Sequence, residues 1–274
     1  MLHSERKIYV AGHNGMVGSS VIRILKSKGY TNLITINREK LDLCNQQNVK
    51  DFFYEEKPEI VINAAAKVGG IYANKENPYS FIMDNMQMQN NIIDCSVRFK
   101  VDKFIFLGSS CIYPKLSKQP IKEEYLLSSS LESSNESYAI AKIAGLKACE
   151  AARKQLNRNF ICLMPPNLYG PNDNFDLMTS HVLPAMLRKF NEGKNRDSKT
   201  VTLWGTGKPL REFLYVDDLA ECISFILTKD LPDVTYNVGT GLEISIKLLA
   251  EIIKSAVGYN GDVYWDSSKP DGTP

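Results

Sequence analysis

The 274-residue chain is 43% hydrophobic and 23% charged, an ordinary globular composition that buries a large core without disulfides or structural metal. Its formal net charge of +2, with no run of Lys or Arg, argues against broad electrostatic binding to nucleic acid or to a membrane surface. Basic residues that matter should then act locally, on a small anionic ligand.

Lys7–Ala11 predicts a strand, and Met16–Ser27 a helix with Val17, Val21, Ile24 and Leu25 on one face. Leu33–Ile36 predicts a second strand, Asn45–Glu56 a helix, and Glu59–Ile62 a third strand. A long amphipathic helix over Phe81–Phe99 precedes a fourth strand at Phe104–Leu107; another helix opens at Tyr138 and runs to about Leu156. Short apolar strands alternating with helices predict a parallel sheet covered on both faces. The expected fold is α/β, a Rossmann-type doubly wound domain over residues 1–165. From Pro165 the chain turns often (PPNLYGPNDN), then predicts a helix over His181–Glu192, short strands and further helices. Residues 166–274 read as a smaller C-terminal substrate-binding lobe, interleaved with the sheet, and the Ser-rich stretch 128–137 as a surface loop.

Six cysteines (Cys44, Cys95, Cys111, Cys149, Cys162 and Cys222) form no CxxC pair and show no metal-ligand spacing. No apolar leader precedes the first strand, and no window has the length of a membrane span. A cytoplasmic protein with free thiols and no metal is expected.

Between the first strand and first helix stands Gly12-His13-Asn14-Gly15-Met16-Val17-Gly18, a GxxGxxG turn. Glycines there let the backbone approach a pyrophosphate lying on the helix N-terminus, although such turns also exist merely to pack. An acid at the end of the second strand would bind the ribose 2′-hydroxyl of NAD. The chain instead has Ile36-Asn37-Arg38, and Arg38 can pair bidentately with a 2′-phosphate, so NADP(H) is the expected cofactor. Asp42, in Leu41-Asp42-Leu43, offers an acceptor to an adenine amino group.

Tyr138 and Lys142 are four residues apart, on one face of a helix. A neighbouring ammonium is expected to lower the tyrosine pKa from about 10 and make the phenol a workable acid/base. Gly108-Ser109-Ser110-Cys111-Ile112-Tyr113-Pro114 ends the fourth strand, where open α/β sheets place their ligands, and Ser109 can hold a carbonyl opposite the tyrosine. Ser, Tyr and Lys in these places make the constellation of a ketone reductase.

By the GxxGxxG turn, the Asn63-Ala64-Ala65-Ala66 strand end, the SSCIY turn and YxxxK, the chain resembles the extended short-chain dehydrogenase/reductases. GSSCIYPK, YAIAKIAG, NLYGPNDNF, SHVLPA, REFLYVDDLA, NVGTG and KPDGTP are similar to the GDP-L-fucose synthase family, from Arg6 to the last residue. The resemblance implies a GDP-bound 4-keto-6-deoxyhexose as substrate, inverted at carbons 3 and 5 and then reduced at the ketone with NADPH. It implies Cys111 and His181 as the base and acid of the inversions, and Lys189, Trp204, Arg211 and Asp271 as contacts of the GDP-sugar. Beside the glycine turn, Arg38 and residues 41–43, it places Leu107, Gly108, Ser109, Ser110, Lys142, Pro165, Pro166, Asn167, Leu168 and His181 at the cofactor. It also implies a homodimer through the Tyr138 and Phe81–Phe99 helices.

The chain departs from the family at Pro166, where threonine is more frequent, and the family continues beyond Pro274 with a basic stretch and further helices. Taken singly, Cys111 also fits a core thiol, His181 a helix cap, Trp204 lobe core and Lys189 a solvated cation. A nucleotide-sugar 4-epimerase or dehydratase shares the scaffold, but a dehydratase carries acidic residues where this chain has Cys111 and Ile112. A non-catalytic NADP-binding sensor characteristically lacks the tyrosine or the lysine.

Overall fold

The computed structural model describes residues 3–272, so Thr273 and Pro274 of the KPDGTP motif lie outside the described residues. In chain order, β1 (Ile8–Ala11), α1 (Met16–Ser27), β2 (Leu33–Ile34), α2 (Gln46–Glu56), β3 (Ile60–Asn63) and α3 (Ile71–Glu76) come first. α4 (Pro78–Arg98), β4 (Lys103–Leu107), α5 (Glu136–Leu156) and β5 (Phe160–Met164) follow. The second strand ends at Ile34 and not Ile36, because the chain turns back where Lys40 and Leu41 N–H groups donate to the Asn37 carbonyl. α4 starts three residues before the expected Phe81, at a proline whose missing N–H costs nothing in the first helical turn.

Beyond these lie β6 (Asn167–Tyr169), α6 (Val182–Asn195), β7 (Thr200–Trp204), β8 (Leu210–Tyr215), α7 (Val216–Leu227), β9 (Thr235–Asn237), β10 (Glu243–Ser245), α8 (Ile246–Val257) and β11 (Asp262–Asp266). The main sheet is parallel throughout, in the order β2-β1-β3-β4-β5-β9. The order reverses between β1 and β3, so their C-terminal ends open a crevice where a ligand fits.

Strand side chains alternate between two covered faces. Tyr9, Val61, Phe104, Phe106 and Phe160 pack under α2, α4 and α5. Ile8, Val10, Ile60, Ile62 and Ile105 pack under α1 and α7. Each such side chain contributes roughly 1.5–3 kcal/mol by leaving water. A third core, built on Leu183, Met186, Phe190, Leu203 and Ile253, holds α6, α8 and the small sheets β10-β8-β6 and β11-β7 together.

The lobe returns to the main sheet twice. β9 pairs with β5, and α7 lies against α1, where the Ser20 hydroxyl donates to Asp217 at 2.5 Å. Buried Lys103 donates to the carbonyls of Ile226, Leu227 and Lys229 and so ties the end of α7 to β4. Among the described residues, no helix is long and apolar enough to cross a membrane.

Candidate active site

The glycine turn is shaped by backbone approaching backbone. Gly12 has φ +79°, and a Cβ there would stand 2.7 Å from the Ala65 nitrogen. At Gly18 a Cβ would stand 2.2 Å from the Gly12 carbonyl oxygen. Gly15 donates to that same oxygen at 3.0 Å and forms the N-cap of α1 with no capping side chain, leaving the helix N-terminus to an anion. His13, Met16 and Val17 are half-buried around the turn. Asn14 donates to Asn37 at 2.9 Å, binding the turn to the segment that carries exposed Arg38. Asp42 accepts from Cys44 N–H at 3.0 Å; Leu41 is core at 4% exposure, which leaves only its backbone to meet a ligand, and Leu43 packs on the same core. These residues fit a dinucleotide with a 2′-phosphate.

The candidate catalytic residues Ser109 and Cys111 follow β4, and Lys142 of α5 reaches its end. Ser109 caps the short turn that follows, its Oγ accepting from Cys111 N–H at 3.3 Å. Ser110 N–H donates to the Pro165 carbonyl at 3.0 Å, and Gly108 N–H to Leu163, which aligns the ends of β4 and β5. Lys142 is buried; its ammonium donates to the Leu107 carbonyl at 2.8 Å and lies 5.8 Å from the Tyr138 ring centre. The helix register is fixed by Gln89 of α4, whose Nε2 donates to the Ala141 carbonyl at 2.5 Å. Gly145 lets α5 come this close, since a Cβ there would meet Phe106 at 2.5 Å.

Electrostatics correct one expectation. Burial pushes the Tyr138 phenol far up, and the nearby Cys111 adds to it; Lys142 does not lower it, its ammonium being turned to Leu107. Burial likewise raises the Cys111 thiol to about 11, although Ser109 and Lys142 favour the thiolate. Desolvation brings Lys142 down to about 8, so it is still mostly an ammonium at neutral pH.

His181 is the N-cap of α6, not its first residue, and its ring is exposed yet hemmed in closely enough that desolvation lowers its pKa. The turn before it winds on Asp176, which accepts from Met178 N–H, Thr179 N–H and the Thr179 hydroxyl, each at 3.0 Å. Gly70 N–H donates to the Thr179 carbonyl at 2.9 Å, and a Cβ on Gly70 would strike Ser180 at 2.4 Å. Neighbouring Gly69 packs on Phe81, whose ring meets Tyr138 edge-on at 6.5 Å. Gly69, Gly70, Asp176 and Gln89 escape sequence reading; only the Asp-x-x-Thr spacing carries a local signal, that of a side-chain-to-backbone turn.

In the lobe, Lys189 donates to the Thr202 carbonyl at 3.0 Å with its ammonium 5.4 Å from the Trp204 ring centre, while Lys269 lies 5.5 Å from the same ring. Trp204 is 42% exposed, not lobe core. Arg211 donates to the Leu210 and Asp271 carbonyls at 2.6 and 3.3 Å. Both Asp271 carboxylate oxygens are taken by Thr206, from its N–H at 2.7 Å and its hydroxyl at 2.8 Å, so this side chain fastens the tail to the 205–207 turn. Asn167 donates to the Glu212 carbonyl at 3.1 Å and Leu168 joins the α1–α7 core, whereas Pro166 is half-buried. The 128–137 stretch is not merely surface: Glu132 and Ser134 are buried.

Residues 8–239 match the model of the NAD dependent epimerase/dehydratase family. The chain is 52% identical over 100% of its length to GDP-L-fucose synthase 1 of Arabidopsis thaliana, spanning 85% of that protein. A GDP-6-OMe-4-keto-L-xylo-heptose reductase from Campylobacter jejuni superposes with a TM-score of 0.92 at 38% identity, over 98% of this chain and 88% of that one. A GDP-L-fucose synthetase from Naegleria fowleri bound to NADP gives 0.87 at 30% identity, over 97% and 83%.

Proposed function

We propose, for a chain that belongs to the NAD dependent epimerase/dehydratase family, that it converts GDP-4-keto-6-deoxy-D-mannose to GDP-L-fucose, inverting carbons 3 and 5 and reducing the ketone with NADPH. One observation carries the reading: a chain half identical to a GDP-L-fucose synthase gathers Ser109, Cys111, Tyr138 and Lys142 at the end of β4. The Gly12–Gly18 turn would hold the cofactor's pyrophosphate and Arg38 its 2′-phosphate; bound NADPH supplies the hydride.

Ser109 and Tyr138 hydroxyls donate to the ketone oxygen, which acidifies the hydrogens on both neighbouring carbons. Cys111 takes a proton from one face of the ring and His181 returns one to the other. With burial raising the thiol to about 11, the base acts from a small thiolate fraction at pH 7. In the reduction, neutral Tyr138 gives its proton to the forming alkoxide while the Lys142 ammonium steadies the developing charge.

Arg211 suits the diphosphate and Trp204 the base, with Lys189 and the tail held by Asp271 closing around them. A second copy is proposed on the α4–α5 face, where Met83 and Ile140 stand exposed, and the six free thiols suit the cytoplasm.

The test is turnover of the GDP-ketosugar with NADPH in deuterium oxide, the product identified by NMR. Wild type should give GDP-L-fucose deuterated at carbons 3 and 5. Tyr138→Phe should lose reduction at least ~100-fold and slow exchange less, since Ser109 still donates to the ketone oxygen. Cys111→Ser should reduce an uninverted ketone. Reduction should fall above about 8 as Lys142 loses its proton. Full inversion by Cys111→Ser would remove Cys111 as the base.

A further inference from the structure

We infer that Asn74 is a positioning residue: it holds Gly69 and Gly70 under the 176–181 turn and so aims His181 at the sugar. The inference rests on the GDP-ketosugar reading, in which His181 returns the proton of the inversions, and deepens it. The His181 ring caps no N–H of α6, and its backbone is extended at φ −76° and ψ 171°, so its direction follows the peptide before it. That peptide rests on Gly70. The Ser180 carbonyl oxygen stands 2.4 Å from where a Cβ on Gly70 would be, and Gly70 N–H donates to the Thr179 carbonyl at 2.9 Å. Asp176 winds the turn from within, whereas Gly70 fixes its place against the half of the molecule that carries the glycine turn.

Gly69 and Gly70 have no side chains with which to hold themselves there. Asn74, 6% exposed on α3, reaches back over the start of the helix. Its Nδ2 donates to the Gly69 carbonyl at 2.7 Å and to the Gly70 carbonyl at 3.1 Å. Two carbonyls facing one amide fix which end it presents, since only the nitrogen has hydrogens to give. The other end, Oδ1, is buried without a partner. An unpaired buried acceptor costs free energy, so mere packing would be better served by an apolar side chain; what the amide gains is the pair of carbonyls. The cofactor side of the same segment is fastened separately. Asn85 of α4 accepts from Lys67 N–H at 2.8 Å and donates to the Lys67 carbonyl at 2.9 Å, while Ala64 N–H donates to Ala11 at 3.0 Å. Losing the Asn74 bonds therefore frees residues 69 and 70 and leaves the neighbours of the glycine turn in place. Asn74 thus serves the inversions and not the hydride transfer, which depends on Ser109, Tyr138 and Lys142.

The test separates inversion from reduction. Inversion is followed by NMR of the GDP-ketosugar with NADP in place of NADPH, reduction by NADPH consumption, and folding by NADPH titration. Asn74→Ala should slow inversion about 10-fold or more, with reduction within about threefold and NADPH affinity within about twofold. Gly70→Ala pushes on Ser180 with both asparagine bonds in place; it should show the same split, and it supplies the comparison if Asn74→Ala fails to fold. In a His181→Asn background, Asn74→Ala should cost under about twofold more, since no imidazole is left to aim. Equal losses of inversion and reduction would make Asn74 a scaffold residue. A full further loss in the His181→Asn background would mean that it acts elsewhere, and inversion unchanged by either single variant would remove it. Each of these three results overturns the assignment. A His181→Asn enzyme that inverts at the wild-type rate would overturn the reading of the acid, and a wild type that binds NADPH but inverts nothing the GDP-ketosugar reading; this assignment falls with either.

Discussion

The two ends of the cleft are built by different means. At the glycine turn the geometry is set by main chain against main chain: Gly12 against Ala64–Ala65, and Gly18 against Gly12. At the substrate end it is set by side chains reaching across loops: Asp271 to Thr206, Glu212 to Gly241, Lys189 to Thr202. The strands differ to match. β1, β3 and β5 are buried at every residue, whereas β7 alternates exposed and buried. A site made of backbone admits one ligand shape and tolerates almost no added atom. A site made of side chains can be retuned one contact at a time, as suits the half proposed to hold the sugar.

The sharpest way to break this contrast is Gly18→Ala. The added carbon would lie 2.2 Å from a carbonyl that cannot move without moving the turn. NADPH affinity should fall by ~100-fold or more, with ~1–3 kcal/mol lost from the melt, read by cofactor fluorescence and calorimetry. Unchanged NADPH binding would mean that the turn yields and is not set by backbone. Arg38→Ala comes next and tests the side chain assigned to the 2′-phosphate. The preference for NADPH over NADH should drop ~10- to 100-fold in paired titrations, since one charge-assisted contact is lost. Asp271→Ala should do least. Freeing Thr206 and the tail beside Arg211 should raise the GDP-sugar KM ~3- to 10-fold, with kcat and NADPH affinity within about twofold. If NADPH affinity fell as well, the two ends would not be separable.

How much of this is legible without coordinates follows the same division. Continuous apolar strands, the glycine turn and Tyr138–Lys142 each announce themselves within a few residues, because local sterics and periodicity produce them. β5 and β9 are harder. β9 is three residues long, and nothing local says that it joins a sheet begun more than two hundred residues earlier. Gln89, Gly70 and Asn74 matter through partners 52 to more than 100 residues away or through burial, which one sequence does not display. The direction of the Tyr138 shift was illegible for a related reason. Spacing puts an ammonium near the phenol, but only the packing shows it bound to Leu107 while desolvation dominates.

The bond from Gly70 to Thr179 has a consequence for recombination. A chimera joined near residue 165, trading one sugar-recognising half for another, would part Gly69–Gly70 from the 176–181 turn that they support. The same crossover would bring in a foreign α7 and β9 to face this chain's Ser20, Lys103 and β5. A transplant that respects the contacts would leave α7 and β9 with their sheet. It would carry residues 64–77 along with 166–215 and 239–272, as three inserts exchanged together, so that His181 arrives on its support and β7 and β8 keep their partners β11 and β10. Shuffling by contact and not by chain order is therefore what this architecture permits, and families of new specificity should be sought among such joint exchanges.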